Sequence, residues 1–300
     1  MEFENVIYGK NIIKKYPNFT LDIPELKIPK GFATAFIGEN GAGKTTLIDI
    51  LAGINLEYKG DITYFGEYTD KDTAKKEKAK DRIGYTGTGN YFLPHWTLSQ
   101  IKEIQSLLFD SFDPVKYDDI CNNLAITKND NIDKKKNINA LSDGNKTKLM
   151  LAGVLARETD MLLLDEPASP LDPLMRDRLC EIIREYLCEK EGERSVLFST
   201  HNVADMEAVT DYCIVVEHGN IVEQGFVEDL KEKYVAVSGE LADYDAASKV
   251  LYSISKSQVG FTGICLAEKA NELAGLDLQI ETPSLSQIVV AIMKQNTALV

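Results

Sequence analysis

The sequence predicts an α/β fold: a mixed sheet, an inserted helical subdomain, and a small α+β appendage at the C-terminal end. Three observations carry this. The apolar run Phe32–Ile37 breaks off into a glycine-rich stretch, Gly38-Glu39-Asn40-Gly41-Ala42-Gly43-Lys44-Thr45, and a helical pattern follows at once. Two more strand-sized apolar runs, Met161–Leu164 and Ser195–Ser199, end abruptly in Asp165-Glu166-Pro167 and Thr200-His201. Between the first run and these two, residues 97–148 carry apolar side chains such as Ile101, Ile104, Leu107 and Leu108 at helical spacing.

In chain order, Val6–Lys14 is rich in β-branched residues and reads as a strand, with a turn at Pro17-Asn18 and a second short strand at Phe19–Ile23. Phe32–Ile37 is the third. A helix runs from about Thr45 to Ala52, with Leu47, Ile48, Ile50 and Leu51 apolar and Gly53 placed to stop it. Residues 67–82 are highly charged and read as a surface helix or loop. Ile83-Gly84-Tyr85 is a short strand leading into the loop Thr86-Gly87-Thr88-Gly89. After Met161–Leu164 a helix spans Leu174–Lys190. Cys213–Val216 and Ile221–Glu223 flank His218-Gly219-Asn220, a hairpin signal. Residues 1–228 form the principal domain, with the helical subdomain at about 97–150, and residues 229–300 a small accessory region.

At 300 residues the chain has room for one large domain and a smaller one, and can bury a sizeable core without disulfides. Its five cysteines include no C-x-x-C pair, so they read as free thiols of a reducing compartment rather than metal ligands. The formal net charge of −14 argues against a nucleic-acid-binding surface, which needs Lys and Arg to neutralise phosphates. The one basic run, Lys134-Lys135-Lys136, reads as a solvated loop or helix end. The start Met1-Glu2-Phe3-Glu4-Asn5 lacks the apolar stretch of a signal peptide, and no segment nears the ~20 apolar residues needed to span a bilayer. A cytoplasmic protein is expected, one that needs another chain to act across a membrane.

The glycine-rich stretch satisfies G-x-x-x-x-G-K-[ST] through Gly38, Gly43, Lys44 and Thr45, in the strand–loop–helix setting that gives the pattern its meaning. Glycines let several backbone N–H groups converge on phosphate oxygens, and the helix that follows adds its positive end. Lys44 is placed to reach the β- and γ-phosphates of ATP, and the Thr45 hydroxyl to ligate Mg²⁺. Asp165 and Glu166 stand where an α/β sheet presents its ligand edge. Asp165 suits the Mg²⁺ role and Glu166 the polarisation of an attacking water. A lone histidine is usually structural, but His201 ends a third strand of the same kind and reads as a γ-phosphate contact.

With these residues in place, the chain resembles the nucleotide-binding subunits of ABC transporters, in order from about Val6 to Val222. Gly38–Gly53 reads GENGAGKTTLIDILAG, with Thr46 inside it. Leu141-Ser142-Asp143-Gly144-Asn145 is similar to the family's signature LSGGQ, and Ser169-Pro170-Leu171-Asp172 to its D-loop. His201 falls at the switch-histidine position, and Tyr16 where an aromatic ring lies against adenine. The resemblance implies that two such subunits pack head to tail. Each ATP would lie between the Gly38–Thr46 loop of one and Ser142 and Gly144 of the other. It also implies a separate transmembrane permease, a place on the cytoplasmic face of the membrane, and ATP hydrolysis that drives transport. Three positions depart from the family: Asp143 and Asn145 replace Gly and Gln, and Thr88 stands where the Q-loop has Gln and would touch the Mg²⁺ shell. Asp229–Tyr234 and Pro283–Ile288 are similar to the tails of small bacterial exporters, so export is the expected direction. Two other assignments stay open: a non-transport relative acting on ribosomes or DNA, and a regulatory subunit that binds ATP but hardly turns it over.

Overall fold

The computed structural model describes residues 3–71, 73–88, 91–126 and 137–297. Lys134-Lys135-Lys136 and Gly89 lie outside them.

The chain begins with a long antiparallel hairpin, β1 (Asn5–Tyr16) and β2 (Phe19–Pro29). The second strand was expected to end at Ile23 but continues through Pro24. It is the edge strand of its sheet, where a missing N–H is tolerated. Opposite it Asn11, lying between the pairs Lys10–Glu25 and Ile12–Ile23, adopts a left-handed φ of 50°. β3 (Ala33–Ile37) leads into the glycine-rich loop and α1 (Lys44–Leu51). β4 (Lys59–Tyr64) and β5 (Tyr68–Thr69) complete a sheet of order β2-β1-β4-β5. The charged stretch forms α2 (Thr73–Asp81), and β6 (Ile83–Thr86) follows.

The helical region holds α3 (Leu98–Leu108), α4 (Pro114–Asn123) and α5 (Asp143–Leu155). Each begins at a side-chain cap, Thr97, Asp113 and Ser142 respectively, whose oxygen accepts from a first-turn amide. β7 (Met161–Leu164), α6 (Pro173–Cys188) and β8 (Ser195–Thr200) come next. α6 stops two residues short of the expected Lys190 because Lys190, Glu191 and Gly192 all take positive φ. β9 (Tyr212–Glu217) and β10 (Asn220–Phe226) form the expected hairpin, with positive φ at both His218 and Gly219 of its turn.

The central sheet has the order β10-β9-β3-β8-β7-β6, parallel throughout except for the antiparallel edge strand β10. It is therefore mixed, as predicted, and its faces explain the continuous apolar runs. Ala33, Ala35, Leu162, Leu164, Val196 and Phe198 feed one core with α5 and α6. Phe36, Met161, Leu163, Leu197 and Ile214 feed the other with α1 and the first sheet. Both faces are dry, so strand residues of either parity are apolar. The parallel pairing also brings the carboxyl ends of β3, β8, β7 and β6 side by side.

The remaining residues form α7 (Val227–Lys233), β11 (Tyr234–Gly239), α8 (Tyr244–Ala247), β12 (Tyr252–Lys256), β13 (Phe261–Leu266), β14 (Leu278–Glu281) and α9 (Leu285–Thr297). Their antiparallel sheet, of order β12-β13-β11-β14, has its own small core around Val237, Leu251, Phe261 and Cys265. Leu230 of α7 and Leu285, Ile288 and Ile292 of α9 belong instead to the main core.

Candidate active site

The site starts from two glycines that admit no side chain. A Cβ on Gly38 would lie 2.5 Å from the Val216 carbonyl oxygen. Gly43 has φ 107°, and its Cβ would press on Phe19 and Leu21 at 2.8 and 2.9 Å. Neighbouring turns hold the loop. Gly219 N–H donates to the Ala42 carbonyl at 3.1 Å, and Gly38 N–H to that of Thr200 at 3.4 Å. No side chain caps the first amides of α1, whose N-cap is Gly43. Lys44 is 6% exposed and folds along the loop, donating to the Gly38 carbonyl at 2.7 Å and to Glu39 at 3.1 Å. Its ammonium also stands 3.4 Å from Glu166 Oε1.

The two acids after β7 are held differently. Asp165 is 3% exposed. Its Oδ2 accepts from Thr45 Oγ1 at 2.8 Å and its Oδ1 from Ser199 Oγ at 2.5 Å. Burial pushes its carboxyl above the ordinary range, only partly opposed by those two hydroxyls. Glu166 adopts φ 49°, an uncommon backbone for an acidic side chain. Ser199 Oγ accepts the Glu166 N–H at 2.8 Å, so one hydroxyl fixes both acids. Glu166 Oε2 lies 2.8 Å from His201 Nδ1, while the histidine ring is 45% exposed.

A cleft of about 590 Å³ runs over the loop, lined by Tyr16, Phe19, Asn40, Gly41, Gly43, Lys44, Thr45, Thr46, Thr88 and Glu166. A neighbouring cleft of about 460 Å³ is lined by Asp165, Glu166 and His201 together with Thr88 and with Asp143, Lys146 and Thr147 of α5. The structure thus brings together the loop, carboxylate and histidine positions singled out in the sequence, with Tyr16 and Thr88 lining the same clefts. Ser142 and Gly144 do not line the loop cleft. Ser142 Oγ caps α5 by accepting Asn145 N–H at 3.3 Å. A Cβ on Gly144 would meet the Pro170 carbonyl oxygen at 2.8 Å, so this glycine lets the α5 start lie on the 169–172 turn of its own chain. Asp143 points outward, 88% exposed, and pairs with Lys146 at 3.0 Å.

Two residues of the site escaped the sequence reading. Ser199 was seen only as the end of an apolar strand; a hydroxyl at that end, beside a strand ending Asp-Glu, is the signal. Phe19 was read only as a strand residue, yet it lies against Gly43 with its ring 6.3 Å from that of Tyr16.

The donor set fits a small hard cation. Thr45 Oγ1 and Asp165 Oδ2 are 2.8 Å apart. Neighbouring ligands on an octahedron of 2.0–2.1 Å bonds stand about 2.9 Å apart, and Mg²⁺ is usually held by one or two protein oxygens plus phosphates.

Fold and site together define a P-loop ATPase of the ATP-binding cassette class. Residues 21–169 match the family model described as ABC transporter. An energy-coupling factor transporter ATP-binding protein of Pediococcus pentosaceus is 30% identical over 226 residues, 74% of this chain and 79% of its own length. One from Lactobacillus johnsonii is 27% identical over 288 residues, 91% of this chain and 96% of its own. The solved structure of cbiO1 from Clostridium perfringens, part of the ABC transporter complex cbiONQ, has a TM-score of 0.59 at 24% identity, covering 75% of this chain and 90% of that one. The chain belongs to the ABC transporter family, as an ATP-binding subunit whose ATPase activity is coupled to transport. Nothing in these relatives supports the export direction expected from the tail, or a role on ribosomes or DNA. Among the described residues no helix is long and apolar enough to cross a membrane.

Proposed function

We propose that this subunit works as one half of a head-to-tail pair on the cytoplasmic face of the membrane, energising a separate permease by closing on ATP and Mg²⁺. One observation carries the reading. Lys44, Thr45, Asp165, Glu166 and His201 converge on one edge of the sheet, while Ser142 and Gly144 sit off the loop cleft. A second subunit, identical or not, would supply its own Ser142 and Gly144 to complete each site.

In this scheme the adenine ring lies against Tyr16, and the Gly38–Thr46 amides surround the phosphates. Lys44 exchanges its loop carbonyls for β- and γ-oxygens. Thr45 and Asp165 would hold Mg²⁺, with Thr88 on its water shell; the ion would neutralise the phosphate charge. Glu166 accepts a proton from water as the water oxygen bonds to the γ-phosphorus and the bond to the β–γ bridging oxygen breaks, releasing ADP and phosphate. His201 orients Glu166 and contacts the γ-phosphate. Residues 229–300 act as an accessory region to this machinery.

Glu166→Gln should keep ATP binding and lower steady-state phosphate release by about 10²–10³-fold. Equal turnover in the variant and the parent would remove Glu166 from this role. A parent rate no faster than that of the variant would favour a subunit that binds without turning over. The partner is tested by recovering tagged Glu166→Gln protein from its native cells in mild detergent with ATP and Mg²⁺. A co-purifying polytopic membrane protein is the expected result; ribosomes or nucleic acid in its place would overturn the reading.

A further inference from the structure

His201 Nδ1 stands 2.8 Å from Glu166 Oε2 while its ring is 45% exposed, so its position depends on the backbone that carries it. Thr200 Oγ1 donates to the Asn202 carbonyl at 2.9 Å and accepts the Asn202 N–H at 3.0 Å, which makes a stiff turn around the histidine. The next residues form two 3₁₀ turns, Val203–Asp205 and Glu207–Val209, with Val203, Met206 and Val209 buried in the main core.

Charged side chains grip this segment from two sides. Toward α6, Arg176 donates to Asp205 Oδ1 at 2.6 Å and to the Leu171 carbonyl at 2.9 Å, and Arg184 donates to the Ala208 carbonyl at 2.7 Å. Toward the C-terminal end, Glu207 reaches the first turn of α9. Its Oε1 accepts Leu285 N–H at 2.9 Å, and its Oε2 accepts Ser286 Oγ–H at 3.0 Å and Ser286 N–H at 3.4 Å. A carboxylate on free helix amides is held by charge-assisted hydrogen bonds and by the positive end of the helix.

We infer that Glu207 is a positioning residue for ATP hydrolysis: by fastening the segment after His201 to α9, it keeps the histidine within reach of Glu166. This rests on the role proposed above for His201. It also gives the C-terminal region a task, because α9 then serves as the outer abutment of the catalytic edge.

The helix does not need Glu207 in order to form. Ser284 Oγ accepts Gln287 N–H at 3.2 Å and Gln287 Oε1 accepts Ser284 N–H at 2.9 Å, a reciprocal cap of its own. Glu207→Gln should therefore loosen the fastening without melting α9.

The test is a double-mutant cycle on the full chain, read as kcat and KM for ATP together with Tm. Glu207→Gln is expected to lower kcat roughly tenfold, the scale of a small misplacement at a reacting centre, with KM unchanged. Ser286→Ala, which removes one donor from the other side, should shift kcat the same way by less. In a His201→Ala background, Glu207→Gln should cost nothing further. If His201→Ala leaves kcat intact, the reading of the histidine fails. If His201→Ala lowers kcat but Glu207→Gln does not, or if the two losses multiply, the positioning inference fails. A Glu207→Gln variant that fails to fold would also refute it, since α9 and the core would then depend on the contact for stability.

Discussion

Asp165 shows at the residue scale how burial and function oppose each other. Its carboxyl is nearly inaccessible and its pKa is raised, mainly by desolvation. A folded-state pKa above the unfolded value means the native state binds its proton more tightly. Stability from this group is therefore greatest at low pH. It falls as pH rises from the unfolded value through the folded one, and the loss is complete above it. Asp165→Asn should consequently raise the Tm of nucleotide-free protein at neutral pH, by about 2–4 °C, in a calorimetric scan. The same variant should lose Mg²⁺-dependent phosphate release. An unchanged or lowered Tm would mean that the Ser199 and Thr45 hydroxyls already offset the burial. Glu166, the next residue, keeps 16% of its side chain exposed and an ammonium at 3.4 Å. Adjacent acids thus sit in different surroundings, which suit the separate duties proposed for them. Their identities were plain in the sequence. That Ser199 serves both was not, because the hydroxyl lies 33 and 34 positions away and only strand pairing joins them.

At the scale of elements, helix starts carry a capping chemistry of their own that the sequence reading did not use. Thr97 and Gln100 make a reciprocal cap on α3, and Asp172 caps α6 ahead of Pro173. Thr97→Ala should cost about 1 kcal/mol, seen as a shift in the denaturant midpoint with an unchanged slope. Gly144→Ala is a different kind of test. Its Cβ would strike the Pro170 backbone oxygen at 2.8 Å, so α5 must shift against the 169–172 turn. Lower Tm with intact ATP binding by the isolated subunit is expected, measured by calorimetry and equilibrium dialysis; weaker ATP binding would mean that this contact reaches the loop cleft. Two of the elements that sequence reading missed, β4 and β5, present only Ile62 and Tyr64 as buried alternating positions, among Lys59, Gly60, Asp61 and Thr63. Two inward side chains are too few to establish a period, and the strand exists because β1 offers it a ladder.

For the whole molecule, the arrangement that matters is the neighbourhood of β3, β8, β7 and β6. It gathers four loops from distant parts of the chain at one edge of the sheet, and leaves the Ser142–Gly144 corner outside the loop cleft. A subunit built this way should associate when ATP is present and hydrolysis is blocked. Sedimentation of Glu166→Gln with ATP and Mg²⁺ should show a dimer that disappears on chelation of the metal or addition of Ser142→Ala. A monomer under all these conditions would point to an obligate second subunit of different sequence.

The sequence by itself determined the nucleotide chemistry, because a phosphate-binding loop is local: its glycines, lysine and threonine lie within eight consecutive positions, and backbone sterics leave them few alternatives. It likewise determined the apolar strands and, to within a residue, the starts of α1, α3 and α6. Tertiary structure alone decided which strands are neighbours, that Gly144 is required by Pro170 rather than only by a partner, and that the C-terminal helix fastens the segment behind His201. Those are contacts between residues tens of positions apart, and their partners are selected by packing and burial, which no local pattern in the chain records.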